Sequence, residues 1–195
     1  MAESVSAETR ERITLAAVRA VRAAPVTALS VQQVAEAAGV TTSSVYKAFS
    51  SKYELFAVAC RRVLVEQVVE VARGVDEAAP PLQRLRQVLA GLFAVGRAEP
   101  FPTAYLYGMF PLLQHKEVDD SVRREVDEVE AELRDRLRHR IADAVEAGDL
   151  AGDPNDLAAV CATAAFGYLG MAVHGATPVA PEAYADFVVR GLPRP

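Results

Sequence analysis

The stretch VQQVAEAAGVTTSSVYKAFSSKYELF, from Val31 to Phe56, governs how the N-terminal part of this chain is expected to fold. Apolar residues at helical spacing begin directly after Ser30 and stop at Gly39, which predicts a short helix from Val31 to Ala38. A second short helix is predicted from Thr42 to Ala48. The stretch therefore predicts two short helices joined by a tight turn at a glycine.

Three positions in this stretch have the spacing of a helix-turn-helix motif. Such a motif needs a small residue where the helices cross, a turn residue that accepts positive φ, and an apolar plug in the second helix. Ala35, Gly39 and Val45 meet these needs at spacings of four and six. Two core helices joined by an ordinary glycine turn fit the same three residues, so the motif alone leaves both interpretations open.

The second helix has a hydroxyl-rich start, from Thr41 to Ser44. Short hydroxyl side chains at a helix N-terminus either cap the helix or approach base edges and phosphates. A recognition helix points its N-terminal residues into the major groove. This composition is therefore typical of a helix that binds DNA.

Further residues in the same register resemble the DNA-binding region of the TetR family of regulators. The shared features are an Ala-Gly-Val helix end, a hydroxyl-rich helix start, Tyr-x-x-Phe, Ser-Lys and an apolar pair. Here they are Ala38-Gly39-Val40, Thr41 to Ser44, Tyr46 with Phe49, Ser51-Lys52 and Leu55-Phe56. With the first helix included, the resemblance covers about a quarter of the chain and is specific because many positions agree in one register.

The resemblance implies a set of DNA-binding residues. Tyr46 and Lys52 would contact phosphates, and Phe49 would pack the recognition helix onto the domain. Thr42, Ser43 and Lys47 would reach the groove, where hydroxyls suit several base edges. The full predicted set is Ser30, Thr41, Thr42, Ser43, Ser44, Tyr46, Lys47 and Lys52.

Two residues depart from the family pattern. Ser44 stands where the family often has glycine, and Ala48 stands where it often has histidine. An alanine cannot donate a hydrogen bond to a phosphate, and a serine can add a contact. These departures affect the operator sequence and the affinity that the resemblance implies, and they leave the mode of DNA binding intact.

The charge distribution agrees with a DNA-binding N-terminal part. The net charge is −5, but residues 1–62 hold eight basic and five acidic groups, a balance of +3. The rest of the chain holds 13 basic and 21 acidic groups, a balance of −8. A positive segment is attracted to phosphates, although a bias of this size is also common in proteins that never bind DNA.

The rest of the chain is predicted to be helical, because no strand-like alternation persists anywhere. The fold class is therefore all-α. We expect an N-terminal three-helix DNA-binding domain with the helix-turn-helix at residues 1–50. A larger helical domain for effector binding and dimerisation would occupy residues 51–195. The further predicted helices are Ala7 to Ala23, Ser51 to before Gly74, one ending near Ala98, Asp119 to Ala147, Pro154 to about His174, and Pro181 to Arg190.

A membrane location is not favoured. The apolar run from Leu157 to Val173 has 17 residues, fewer than the roughly 20 that a spanning helix needs, so a buried helix is the interpretation. The N-terminus lacks the long apolar stretch of a signal peptide. Cys60 and Cys161 stand alone, which argues against a disulfide framework or a zinc site. A cytoplasmic location is expected.

The last two helices are the predicted dimer interface. By resemblance they would form a four-helix contact with a second copy. Small residues that permit close approach and apolar residues that supply area both occur in the first of them. The small ones are Ala158, Ala159, Ala162, Ala165, Gly167 and Gly170; the apolar ones are Leu157, Val160, Phe166, Leu169, Met171 and Val173. The core helix of a monomer would have similar residues.

The helical body is also the expected place for a small effector. Aromatic and methionine side chains shape apolar pockets, while tyrosine and histidine add orienting polar groups. The same residues at helical spacing also occur in plain cores. The candidate pocket residues are Phe93, Tyr105, Tyr107, Met109, Phe110, His115, Tyr168 and His174.

An enzyme is not expected, since the sequence lacks a catalytic constellation. Gly91 and Gly96 have the spacing of a phosphate loop, but Arg97-Ala98 replaces the required Lys-Ser/Thr. No metal site and no cofactor is predicted. The expected function is a ligand-responsive DNA-binding regulator, a homodimeric repressor on a palindromic double-stranded operator that a small hydrophobic effector releases. The alternative is an all-helical small-molecule-binding protein without DNA function.

Overall fold

The computed structural model describes residues 5–102, 120–173 and 179–195, and in these ranges every regular element is a helix. The all-α prediction is confirmed, and the predicted helix ends agree with the observed ones to within a residue or so. A 3₁₀ turn spans Val26–Ala28. The helices are α1 (Ala7–Ala23), α2 (Val31–Ala38), α3 (Thr42–Ala48), α4 (Lys52–Arg73), α5 (Pro81–Ala98), α6 (Asp120–Glu146), α7 (Pro154–Val173) and α8 (Pro181–Gly191).

The chain forms two compact units, Met1–Leu64 with Phe101–Asp127, and Val65–Pro100 with Glu128–Pro195. The boundary between residues 64 and 65 lies inside α4, and the first turns of that helix bury Leu55 and Phe56. The sequence predicts a domain boundary after residue 50, which lies earlier in the chain. That boundary stays a prediction.

The first unit is a small helical domain in which α1 packs against α2 and α3. Ile13 and Ala17 of α1 are fully buried, as are Leu55 and Phe56 at the start of α4. Each large apolar side chain buried in this way contributes roughly 1.5–3 kcal/mol. The motif helices are too short to be stable alone, so this shared core is what holds them in place.

The second unit is held together by helices that approach closely at glycines. A Cβ at Gly96 of α5 would lie 1.9 Å from Cδ2 of Leu169 in α7, and one at Gly91 would lie 2.8 Å from Cγ1 of Val71 in α4. A side chain at either glycine would force the facing Leu169 or Val71 side chain to move. Packing between helices therefore accounts for the spacing of Gly91 and Gly96 that resembles a phosphate loop.

Local signals fix the ends of α6 and α7. Gly148 has φ 76 after the end of α6, as expected for a left-handed helix stop. Asp153 Oδ1 accepts from the backbone N of Asn155 at 2.7 Å, directly before Pro154 begins α7. This backbone bond, more than any other contact, holds the pKa of Asp153 below its ordinary value.

Within the described ranges, none of the helices combines the length and the apolarity that a membrane span needs. Cys60 and Cys161 are free thiols that are fully buried. Burial raises the pKa of the Cys161 thiol to about 11 and that of Cys60 further still.

Candidate nucleic-acid interface

The helix-turn-helix geometry is present at the three positions that the sequence singles out. Ala35 and Val45 are almost completely buried, at the places where a small residue and an apolar plug are needed. Gly39 ends α2 with φ 65 and ψ 39, the left-handed conformation that glycine adopts without steric cost. A Cβ there would meet no atom within 4 Å. Backbone conformation, and not lack of space, therefore requires the glycine.

The outward face of α3 is polar and accessible. Thr42, Ser43, Tyr46 and Lys47 are all exposed, and Tyr46 is 55% accessible. Residues at i, i+1, i+4 and i+5 lie on one side of a helix, and the buried Val45 lies on the other. Two hydroxyls, a phenol and an ammonium group are thus presented together, a set that can bind both phosphate oxygens and base edges.

Thr41, Ser44 and Ser30 hold the two motif helices in shape. The Thr41 Oγ1 accepts from the backbone N of Ser44 at 3.2 Å and lies 3.0 Å from the Ser44 hydroxyl. The Ser30 hydroxyl accepts from the backbone N of Gln33, and the Gln33 side chain accepts from the backbone N of Ser30 at 2.8 Å. This is the capping box that the sequence predicts. Direct DNA contacts by these three residues stay a prediction.

Lys52 connects the start of α4 to the segment before α2. Its Nζ donates to the carbonyl oxygen of Leu29 at 2.7 Å and lies 5.8 Å from the ring centroid of Phe56. Its side chain is only partly exposed. Lys52 therefore orders the motif from within the domain, and the phosphate contact that the resemblance implies stays a prediction.

Arg10 of α1 contacts the C-terminal end of α3, which the sequence did not predict. Its guanidinium donates to the carbonyl oxygen of Ala48 at the end of α3 and stacks 4.2 Å from the ring centroid of Phe49. The same group lies 3.6 Å from the carboxylate of Glu54 in α4. Arg10 lies one turn before the buried Ile13, on the same side of α1. This spacing could have indicated that its side chain reaches the domain core.

Glu54 extends this cluster to the turn between α3 and α4. Its carboxylate accepts from the backbone N and the hydroxyl of Ser50, the latter at 2.7 Å. Together with Arg10 and the fully buried Phe49, it fixes the C-terminal end of α3. We call Arg10, Phe49 and Glu54 the α3 clamp.

The predicted effector-pocket residues fall into two groups. Phe93 and Tyr168 are buried and form a three-ring cluster with Tyr184, with centroid separations of 4.8 to 5.1 Å. The Tyr168 hydroxyl donates to the carbonyl oxygen of Val179 at 2.8 Å. The other candidates lie outside the described residues; they are Tyr105, Tyr107, Met109, Phe110, His115 and His174.

A cavity of about 440 Å³ opens elsewhere in the second unit, between α4, α5 and α6. Sequence reasoning missed it because its walls are mostly valine and leucine, which give no signal beyond ordinary core. In the part of the chain that the structure describes, no group of three or more His, Cys, Asp or Glu residues is arranged to hold a metal ion.

Comparison with known proteins places these features in a family context. The profile of "Bacterial regulatory proteins, tetR family" matches residues 13–59, which hold the helix-turn-helix and the start of α4. Nucleoid occlusion factor SlmA from Vibrio vulnificus (strain YJ016) is 26% identical over 141 residues, or 72% of each chain.

Two solved structures share the fold at low sequence identity. A TetR transcription regulator from Haloarcula marismortui has a TM-score of 0.73 at 18% identity, over 95% of this chain and 96% of that one. The regulator FadR from Bacillus subtilis, in complex with stearoyl-CoA, has a TM-score of 0.69 at 15% identity, over 92% and 95%. The architecture is therefore common to sequences that differ at most positions.

Proposed function

We propose that this chain is a regulator of the TetR type, a homodimeric, effector-responsive repressor that inserts α3 into the major groove of a palindromic operator, because the tetR family profile matches its helix-turn-helix at residues 13–59. The observation that carries the proposal is the exposed face of α3, where Thr42, Ser43, Tyr46 and Lys47 point away from the domain core. The proposed role is regulatory and not enzymatic, and it acts on DNA in the cytoplasm.

Each of these residues has a role that follows from its chemistry. Tyr46 binds a phosphate oxygen through its phenol, and Lys47 reaches the groove with its ammonium group. Thr42 and Ser43, in the first turn of α3, reach base edges. The hydroxyls of Thr41 and Ser44 bond to each other and keep that first turn rigid, so their contribution is to position the reading side chains.

The proposed dimer interface is the outward face of α7 together with α8. Helix α7 is apolar on all sides, and such a helix is stable only when every face is covered. Val160 is 54% exposed and Met171 46%, on a face that also includes Thr163 and Gly167; Phe187 of α8 is 63% exposed. The Thr163 hydroxyl is satisfied by the carbonyl oxygen of Ala159 at 2.8 Å, so this face needs no water. A second copy would cover it.

The proposed response to effector acts through the spacing of the two recognition helices. A dimer must present them about 34–36 Å apart, or a multiple of one DNA turn. The effector would bind in the second unit, to which α4 belongs in its C-terminal half, while the N-terminal half belongs to the first unit. Occupancy that shifts α4 by a few ångströms would cost contacts at both half-sites. The FadR structure with stearoyl-CoA is a ligand-bound example of the fold.

The test is a DNA selection followed by a double substitution. Wild-type protein should enrich a palindrome from a random duplex library and bind it with a strong dependence on salt. Tyr46→Ala with Lys47→Ala should abolish that binding and leave the unfolding midpoint unchanged, because both side chains are exposed. Arg12→Ala with Arg19→Ala, on the outward face of α1, is the matched control and should leave the enriched sequence unchanged.

Two results would contradict the proposal. One is a wild-type protein that enriches no palindrome and shows no salt-sensitive binding. The other is a double variant at residues 46 and 47 that binds the selected site as wild type does. Either result would favour an all-helical small-molecule-binding protein without DNA function.

A further inference from the structure

The cavity between α4, α5 and α6 has an apolar wall made only of aliphatic side chains. Residues at helical spacing on each of the three helices supply it. They are Val68, Val71, Ala72, Val88, Leu92, Leu133 and Leu137. The volume of about 440 Å³ lies in the range of roughly 300–1,000 Å³ that small-molecule sites occupy. The wall therefore suits an apolar body of moderate size.

Charged side chains of α6 line the rest of the cavity. Arg136 and Arg140 lie one turn apart, next to Leu133 and Leu137, and Asp143 follows a turn later. His139 also lines the cavity. Arg136 already pairs with Glu132 of its own helix at 2.8 Å, which leaves Arg140 as the lining guanidinium to consider for an anionic ligand.

Arg140 already holds a carboxylate. Glu77, in the connection between α4 and α5, accepts from both terminal nitrogens of Arg140, with Nη1 at 2.7 Å. Glu77 also lies 3.4 Å from Arg84, which in turn is 3.5 Å from Asp143. Arg84 therefore faces both Glu77 and Asp143, and the fork of Arg140 is the group that holds a carboxylate through two hydrogen bonds.

The Glu77 carboxylate is easily replaced. Its side chain is 56% exposed, whereas that of Arg140 is 24% exposed. An ion pair at an accessible site contributes little to stability, so exchanging one carboxylate for another on the same guanidinium costs little. A ligand that brings its own carboxylate keeps the bidentate geometry and adds the burial of its apolar body.

We propose that this cavity binds an amphipathic carboxylate, whose apolar body packs against the aliphatic wall while its carboxylate replaces Glu77 on Arg140. The proposal names the effector class of the proposed regulator and rests on that function. Glu77 follows α4 by four residues, since the helix ends at Arg73. Its release from Arg140 removes the contact between α6 and the connection that follows α4, and we infer that ligand binding acts on α4 through this connection.

The test compares three probes with the same eight-carbon chain, octanoate, octanol and octylamine, by isothermal titration calorimetry on the full-length protein. Octanoate should bind about three- to tenfold more tightly than octanol, since a desolvated hydrogen bond to a charged group contributes more than the exposed Glu77 pair that it replaces. Octylamine should bind most weakly. Octanoate should also lower the affinity for the selected palindrome.

Matched variants locate the site. Arg140→Gln should weaken octanoate about tenfold and leave octanol unchanged. Glu77→Gln, at an exposed position that does not threaten folding, should strengthen octanoate by about two- to fivefold because the competing carboxylate is gone. Arg134→Gln, exposed on the same helix and away from the cavity, should change neither.

Equal affinities for octanoate and octanol would overturn the proposal, as would Arg140→Gln or Glu77→Gln proteins that bind octanoate as wild type does. Absence of binding by all three probes would overturn it too. Each of these outcomes leaves the DNA-binding proposal standing, because operator affinity is measured without ligand. Octanoate binding that the variants confirm but that leaves operator affinity unchanged would instead overturn the assignment as effector.

Discussion

Replacing Arg10 of the α3 clamp with alanine tests whether the recognition helix is held in place by a residue that does not touch DNA. The substitution removes the bond to Ala48, the stacking on Phe49 and the ion pair with Glu54. All three contacts meet at the C-terminal end of α3. We therefore expect the loss to act on the position of α3 as well as on stability.

The magnitude follows from the three contacts. A hydrogen bond from a charged donor contributes about 1.5 kcal/mol at the low end of its range. A cation–π contact at an accessible site contributes about 0.5 kcal/mol, and an exposed ion pair a few tenths. The low ends apply because the Arg10 side chain is 46% exposed. The free energy of unfolding should fall by about 2 kcal/mol, which for a chain of this length corresponds to roughly 4–8 °C in melting temperature.

The assay is denaturant unfolding followed by circular dichroism, with Arg12→Ala as the control. Arg12 is an exposed arginine on the outward face of the same helix, so its loss should cost less than about 0.5 kcal/mol. Arg10→Lys should fall between wild type and alanine, because it keeps a charge near Glu54 and loses the planar stack. If the Arg10→Ala and Arg12→Ala proteins had the same free energy of unfolding, the contacts of Arg10 in the α3 clamp would contribute nothing to stability.

The salt dependence of operator binding separates positioning from contact. Arg10→Ala should weaken binding while leaving the slope of log K against log salt unchanged, since no phosphate contact is lost. Each phosphate contact adds about 0.9 to that slope, so a direct contact in both protomers would reduce it by about 1.8. A reduction of that size would refute the assignment of Arg10 as a positioning residue.

Three further predictions concern the turn, the interface and the thiols. Gly39→Ala should destabilise the protein by about 1 kcal/mol in denaturant unfolding, because it forces an L-residue to φ 65, and an unchanged midpoint would contradict the turn geometry. Phe187→Asp should convert a dimer to a monomer in sedimentation equilibrium, because it places a charge in the proposed interface. Glu182→Ala, at a position exposed elsewhere on α8, should leave the dimer intact. A Phe187→Asp protein that remains dimeric would exclude this interface. Cys60 and Cys161 should react with Ellman's reagent at pH 8 only after unfolding, because burial raises the pKa of both thiols; equal rates in folded and unfolded protein would contradict their burial.

The positions that local physics controls were predictable from the sequence. Helix ends follow from near-neighbour signals, and Ser30, Gly39 and Gly148 act within a few residues of where they stand. The burial of Val45 follows from helical periodicity and from the packing needs of the motif. Such features need no knowledge of which distant segments meet.

The features that depend on distant segments were not predictable. Arg10 contacts Ala48 across 38 residues, and Arg140 contacts Glu77 across 63. No periodicity links such pairs. The importance of Lys52 was visible in the sequence, but its bond to Leu29 was not, because the residue type suits a phosphate and a carbonyl oxygen equally well.

The cavity between α4, α5 and α6 also could not be predicted from the sequence. The sequence predicts pocket residues at Phe93 and Tyr168; in the structure their ring centroids lie 4.8 Å apart, and their part in effector binding stays a prediction. The cavity lies where aliphatic side chains of α4, α5 and α6 leave space. Whether an apolar residue fills a core or lines a void depends on volumes summed over several helices, which a single sequence does not reveal.

The most direct test of the central claim, that the first turn of α3 reads base edges, is a change of sequence preference. Ser43→Arg should alter the base enriched at one symmetric position in each half-site, towards guanine, since arginine binds that base through two hydrogen bonds at about 1–3 kcal/mol of discrimination. Gln32→Arg, exposed on α2, adds the same charge and should strengthen binding without altering the enriched sequence. A Ser43→Arg protein that enriches the wild-type palindrome unchanged would contradict the account.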